Sequence, residues 1–497
     1  MASNRGRITI TTGQHTETCT TQNDLITNQA QFPEIREMLE YANRRALSTL
    51  LVSGVVTPYG INNDEKTKIP NVDTKGTKAG NNAYQFRVMG RIEKPSVILA
   101  QIRETLADGS FTLRMADRHL NKGEVCMFNG GRFMAQVMSQ PRGNSGSGYI
   151  YDFQSPSGDL FVWATHVGGQ SGIKTCFGAY TSFGEKSLKG YGDSKFPDMF
   201  INHMTIQRSS VSITGDAASS VLWYKYTSTT GKESNGWMYE ELAQQQAKFV
   251  MQNERQKWFG VSDMKNADGT LRNTPRLADN ETGLFITAGD GFEEQVAGGN
   301  VLYGSGIGGQ PTISDYTDMN KTLEKKGDMV SGYSFCYVMG TDAYANFQNE
   351  IVNLAGNQNI QFMDNITQDG KPGGASVNVG YNFVKANING NSIIAVKHPM
   401  FDDDLLFTER TSDNSGTKMS STIFVFPLNG GSSQKNMEIF HKAANGVDRS
   451  MVTAKLNGLT GAGETTITQE DAMTFAILKQ DLLCVFNTQV CGIIYPA

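Results

Sequence analysis

The chain has 497 residues, enough for about two to four domains or one elaborate domain with insertions around a sizeable core. Only 38 % of the residues are hydrophobic and 53 are glycine, which points to long loops, many turns and much surface. A net charge of −5 excludes a strong electrostatic grip on nucleic acid, and the six scattered cysteines form no CxxC pair. The start, MASNRGRITI, lacks an apolar leader, and no apolar run reaches membrane-spanning length, so we expect a soluble protein folded in a reducing cytoplasm.

Residues 1–32 are polar and threonine-rich and read as an arm that orders only against something else. Pro33, Glu34 and Glu37 then suit a helix start, with Ile35, Leu39, Ala42, Ala46 and Leu50 at helical spacing and Gly54 as its stop. From about Gly60 to Asn235 the pattern is strand and loop. Tyr84, Phe86 and Val88 alternate with polar residues, as do Met204, Ile206, Val211 and Ile213. Glycine-rich links such as QPRGNSGSGY separate these strands, and the whole reads as a long antiparallel excursion with an insertion, projecting from any compact core.

WMYEELAQQQAKFVMQNERQKWFG, from Trp237 to Gly260, predicts the longest helix, a rod of about 33 Å at ~1.5 Å per residue. Glu241, Gln244, Gln245, Lys248, Gln252 and Arg255 share a wet face, while Met238, Leu242 and Phe249 face the other way. Gln246, Asn253 and Gln256 intrude on the apolar side, where each amide needs a partner. Two readings stand: a half-buried helix of one core, or a strut whose sides meet different chains.

Beyond the rod lies a turn-rich stretch in which NADGT, Asn266 to Thr270, signals a hairpin turn and not a calcium loop. Ser314 then caps a helix carrying Tyr316, Met319 and Leu323 and ending at Gly327. The strand GYSFCYVMG leads to a helix with Tyr344, Phe347, Ile351 and Leu354, closed by Gly356. VNVGYNF alternates as a strand, and NSIIAVKHP and STIFVFPL read as strands buried on both faces. Thr468 and Asp471 cap a last helix, and LLCVFNTQVCGIIYP closes the chain as apolar strand.

Chemistry is sparse. GSGIGG, Gly304 to Gly309, matches a phosphate-binding glycine pattern, but Pro311 and polar residues follow where a helix should open, so a turn is expected. HPMFDDD, with His398, Asp402, Asp403 and Asp404, is the most metal-like cluster. Consecutive carboxylates on a strand point to alternate faces, and a solvated turn is expected there. His166, His203 and His441 read as structural histidines, and no GxSxG elbow or P-loop occurs. No catalytic, cofactor-binding or metal residue is assigned.

An arm, an extended excursion, a rod and a mixed α/β remainder, in that order, resemble the HK97-fold major capsid proteins of tailed bacteriophages, and in wording those of crAss-like phages of gut bacteria. The resemblance implies an α+β fold with an N-terminal arm at 1–32, a leading helix and connection at 33–70, and an E-loop region with an insertion at 71–235. It further implies a peripheral domain at 236–340 with a spine helix at 237–259, an axial domain at 341–465, and a helix and strands at 466–497 returning to the peripheral domain. The implied function is self-assembly into hexamers and pentamers of an icosahedral head shell that encloses double-stranded DNA without sequence-specific binding. The implied protein is a virion structural protein and not an enzyme, made in the host bacterial cytoplasm, with portal, scaffold and decoration proteins as partners and no membrane. Because the sequence opens at Met1, we expect no scaffolding segment to be removed and a separate scaffold protein. Lys66, Lys68, Lys75 and Lys78 could be imagined in inter-subunit isopeptide bonds, but no partner residue is identified and the bond is not predicted. Two rival readings stay open, a β-rich glycoside hydrolase centred on HPMFDDD and a phage tail or head-decoration protein.

Overall fold

In the computed structural model, the described residues are 72–88, 95–143, 148–167, 175–185, 198–219, 225–227, 233–235, 237–327, 334–358, 385–402, 410–427, 436–459 and 469–497, apart from a few positions inside these ranges, with four two-residue strands before them. Two compact units emerge: residues 87–200 form one, and residues 1–86 with 201–497 form the other. The compact unit at 87–200 lies within the extended region expected at 71–235.

The unit at 87–200 is a closed antiparallel barrel. Around the ring, Phe133–Val137 pairs with Glu124–Phe128, then Thr175–Thr181, Ser96–Arg103, Ser110–Met115 and Tyr149–Gln154, which returns to Phe133–Val137. Closure removes the open edges that an extended excursion would expose. Alternate residues point inward, so Phe111, Leu113 and Met115 from one strand meet Tyr151 and Phe153 from its neighbour. Phe161 stacks on Phe111 with centroids 4.3 Å apart, and Phe153 stacks on the same ring at 5.4 Å. This unit carries its own dry core. An excursion with an insertion was expected, but not this core: the inward residues are scattered over six short strands, and no single strand advertises it.

The larger unit is built on two mixed sheets. In the first, the 14-residue strand Ala472–Val485 lies between Thr205–Thr214 on one side and Met437–Ala444 with Val452–Asn457 on the other. This corrects the helix expected after Thr468. AMTFAILKQ is rich in helix-favouring residues, but pairing along both edges overrides that weak local preference.

The second sheet orders Asn300–Tyr303, Gly492–Tyr495, Ile423–Pro427, Ser334–Met339, Asn391–Lys397 and Lys385–Ile388. Period-two alternation splits its side chains cleanly. Phe335, Tyr337 and Met339 join the helices Ile313–Gly327 and Thr341–Gln358 through Tyr316, Leu323 and Phe347. Cys336 and Val338 face the opposite side with Trp258 and Phe292. The sheet therefore takes strands from both sides of residue 340, and the boundary expected at 340–341 falls inside one packed layer.

Smaller differences follow the same logic. The helix bearing Tyr316 starts at Ile313, with Asp315 Oδ2 accepting the Thr312 N–H at 2.7 Å, so Ser314 lies inside it. The helix at Thr341 runs on through Gly356 to Gln358. Met38 and Leu39 pair with Lys225 and Tyr226 as a short parallel strand where a helix was expected. The rest of that helix, most of the arm and VNVGYNF lie outside the described residues.

Candidate functional site

The rod expected at Trp237–Gly260 is a helix over Trp237–Phe259. Phe249 and Trp258 are buried, and Lys248 and Gln252 face solvent. Two of the intruding amides bond to the chain's own strand Thr205–Thr214, while Gln246 is exposed. Asn253 Nδ2 donates to Gln207 Oε1 at 3.2 Å, and Gln256 Nε2 donates to Thr205 Oγ1 at 3.0 Å and to the Gly289 carbonyl at 3.1 Å. Gln245, expected on the wet face, is buried beside Ser209, and its amide oxygen is placed to accept the Ser210 and Val211 N–H groups at 3.1 Å. The strand presents Thr205, Gln207 and Ser209 on one face, so a polar strand meets a polar helix flank.

Buried ions complete this seam. The fully buried Lys257 ammonium lies 2.6 Å from Asp481 Oδ1, and Lys479 Nζ lies 2.9 Å from Asp481 Oδ2 and 2.8 Å from Asn253 Oδ1. Burial pushes the Lys257 pKa down against the pull of Asp481. Burial alone would raise the Asp481 pKa, but Lys257 and Lys479 outweigh it and hold the carboxyl below its usual range. One turn along, Glu254 Oε1 accepts the Trp258 indole N–H at 2.8 Å and stands 3.4 Å from His398 Nε2. Residues 253, 254 and 257 thus tie the helix to strands more than a hundred residues away in sequence. The arrangement is a buried ionic and amide seam, and it opens onto no described pocket.

HPMFDDD divides. His398 is buried against Trp258, Phe401 and Glu254. Asp402 turns to the start of another helix, where its carboxylate accepts the Thr341 N–H at 2.5 Å and the Thr341 hydroxyl. That is an N-cap supplied from a distant loop. Asp403 and Asp404 lie outside the described residues. Among the described residues no three His, Cys, Asp or Glu side chains gather as a metal site.

The other singled-out residues also hold structure. His166 stacks on Phe133 with centroids 4.3 Å apart and accepts the Val162 N–H at Nδ1. Burial lowers the pKa of His166, and likewise that of His203. His441 is buried with Nε2 3.4 Å from Asp448. Lys78 Nζ stands 3.7 Å from Asp448 of the same chain, in an exposed pair. Asn266 N–H donates to the Thr270 carbonyl at 2.9 Å, and the centre of the expected turn, 267–269, lies outside the described residues. GSGIGG is a tight loop between the strand Asn300–Tyr303 and the helix Ile313–Gly327: a Cβ at Gly309 would fall 2.0 Å from the Ala497 carbonyl oxygen. Cys126, Cys176, Cys336, Cys484 and Cys491 are buried free thiols, and burial raises Cys491 to about 12. No helix among the described residues is long and apolar enough to cross a membrane.

The arrangement thus describes a protein whose buried polar groups join elements together. Residues 78–497 match the family model described as Crassvirus major capsid protein, and the chain belongs to that family. It is accordingly a capsid protein of a phage, a structural component of the virion and not an enzyme. No curated protein matches it. Among solved structures it is similar to the capsid of cyanophage Pam1, at 11 % identity over 64 % of this chain and 83 % of that one, with a TM-score of 0.34. The capsid of cyanophage P-SCSP1u matches at 10 % identity over 64 % and 80 %, with a TM-score of 0.32. The encapsulin complex of Synechococcus elongatus matches at 10 % identity over 61 % and 76 %, with a TM-score of 0.30.

Proposed function

We propose that copies of this chain form hexamers and pentamers with an HK97-like fold, closing an icosahedral head shell around the double-stranded DNA of a tailed phage. The observation that carries the reading is the family match across residues 78–497. In this reading the helix Trp237–Phe259 is the spine, residues 71–235 are the E-loop region, and the barrel at 87–200 is its insertion. Residues 1–32 act as an arm against a neighbouring subunit. Portal, scaffold and decoration proteins are its partners, and synthesis takes place in the host bacterial cytoplasm.

Two physical points support it. The net charge of −5 suits a container that must not adhere to densely packed DNA. The repeated use of one patch around a closed ring allows each contact to be individually modest. The test is to produce the chain together with the phage's head proteins and image the product by electron microscopy. Closed shells with five- and six-membered capsomers are expected; tubes, trimers or a persistent monomer would overturn the reading.

A further inference from the structure

Between the long helix and the short helix Phe292–Val296, the described residues of 260–291 form no regular element beyond two isolated bridges, yet backbone hydrogen bonds join them. The two ends of the segment are tied to each other, and the second is bonded to the strand Thr205–Thr214. Ser262 N–H donates to Asp290 Oδ1 and Ala288 N–H to Asp263 Oδ1, each at 2.9 Å. Gly289 N–H donates to Thr205 Oγ1, also at 2.9 Å. The tip is a small hairpin in which Asp279 N–H donates to the Leu284 carbonyl at 2.8 Å and Ile286 N–H to that of Leu277 at 2.9 Å. Gly283 turns the chain at φ +67°, a conformation glycine adopts without strain.

This preformed hairpin turns its apolar residues to solvent. Leu277, Leu284, Phe285 and Ile286 are all exposed, Leu284 at 70 % and Phe285 at 64 %. One exposed leucine is ordinary, but four large apolar side chains on one rigid tip mark a contact surface. A second exposed apolar group lies on the same unit, on and beside the strand Val452–Asn457: Met451, Val452, Leu456 and Leu459.

The sheet sets where the two groups stand. Thr205–Thr214, to which the hairpin's foot is bonded, flanks the central strand Ala472–Val485 on one side. Val452–Asn457 flanks it on the other. Patches on opposite sides of the central strand suit head-to-tail contact between copies, the kind of interface that closes into rings. We propose that the hairpin 277–286 of one copy docks on the edge strand 452–457 of the next copy. The proposal rests on the shell-assembly reading and names the surfaces that reading leaves open. A preformed hairpin brings little ordering cost to the contact.

The test uses the full chain produced with the phage's head proteins, as wild type, Phe285→Asp and Leu456→Asp. Both side chains face solvent, so circular dichroism and melting of the unassembled variants should match wild type. Particle yield by sedimentation should fall by about tenfold or more, because each carboxylate would be buried at an apolar contact. Cysteine pairing gives the geometry: Phe285→Cys copies mixed with Leu456→Cys copies should form disulfide-linked dimers, and neither variant alone should. Normal particle yield from Phe285→Asp would overturn the docking proposal, even if those particles lacked an accessory protein. Cross-linking of Phe285→Cys with itself would overturn it as well. Failure of the wild-type chain to form any particle would instead overturn the assembly reading.

Discussion

Phe111 in the barrel is enclosed by aromatic rings, whereas Lys257 on the long helix is enclosed by a carboxylate and amides, yet both are fully buried. The barrel gathers its core from strands within 87–200, where the Tyr151 hydroxyl donates to the nearby Asp117 carbonyl and the rest is largely apolar. The helix seam joins residue 253 to 481 and 256 to 205, so its ions and amides are satisfied only once distant strands have paired. Apolar packing tolerates approximate neighbours, while a buried ion does not. The barrel core therefore supplies bulk stability, and the seam specifies how the helix lies on its sheet.

The seam should fail hardest when one ion is orphaned. Asp481→Leu leaves Lys257 buried beside an apolar side chain and should cost about 3–5 kcal/mol in denaturant unfolding. The double variant Lys257→Met with Asp481→Leu should recover part of that loss, since the buried ammonium leaves with the carboxylate while Lys479 keeps only its Asn253 contact. A double variant as unstable as the single one would show that the pair does not act as a unit.

In the barrel the comparable change is Phe111→Ala, which removes a ring stacked on Phe153 and Phe161 and should cost about 3–5 kcal/mol. Calorimetry should show one transition moving down while the transition of the larger unit stays in place. A common shift of all transitions would mean that the two interiors melt together.

Acid should weaken the seam without mutation. The folded-state pKa of Asp481 is depressed, so its contribution is fully present above the unfolded carboxyl value of about 3.9 and is lost as pH falls through the folded value. Burial would raise Asp152 in the barrel, but hydrogen bonds from Ser139 and Thr112 and the Arg142 charge outweigh it and hold that carboxyl below its usual range as well. Below about pH 4 the seam should loosen, readable as earlier amide exchange along the helix Trp237–Phe259, while the barrel loses the Asp152 contribution in the same range. A smaller loss, about 1 kcal/mol, is expected for Asp402→Ala, which removes the cap at Thr341.

The two regions also differ in how far they can be read from sequence. The long helix, the stripe Tyr316–Met319–Leu323 and the doubly buried strand Ile423–Pro427 are all plain in the residue pattern, because each pattern completes itself within one element. The barrel is not, since its closure depends on pairings such as Gln136 with Gln154 that no single strand announces. The strand Ala472–Val485 reads as helix for the same reason: its neighbours decide it. The site candidates failed at the level of partners. His398 and Asp402 look like metal ligands side by side in sequence, but one meets Glu254 and the other meets Thr341. The polar alternation Thr205, Gln207, Ser209 was the available signal for the seam, because it matches the amides that intrude on the helix.

The finest test lies on the helix itself, between two glutamines four residues apart. Gln256 bonds Thr205 and Gly289, and its loss in Gln256→Ala leaves the Gly289 carbonyl and the Thr205 hydroxyl short of a donor, for about 1 kcal/mol. Gln252 faces solvent, so Gln252→Ala should lie within about 0.5 kcal/mol of wild type, with alanine's higher helix preference offsetting any loss. If Gln252→Ala leaves unfolding unchanged but lowers particle yield, the outer face of the helix meets a neighbouring subunit while the inner face serves the chain's own fold. Equal unfolding losses from both substitutions would erase that division, because solvent would then be doing for Gln252 no less than the strand does for Gln256.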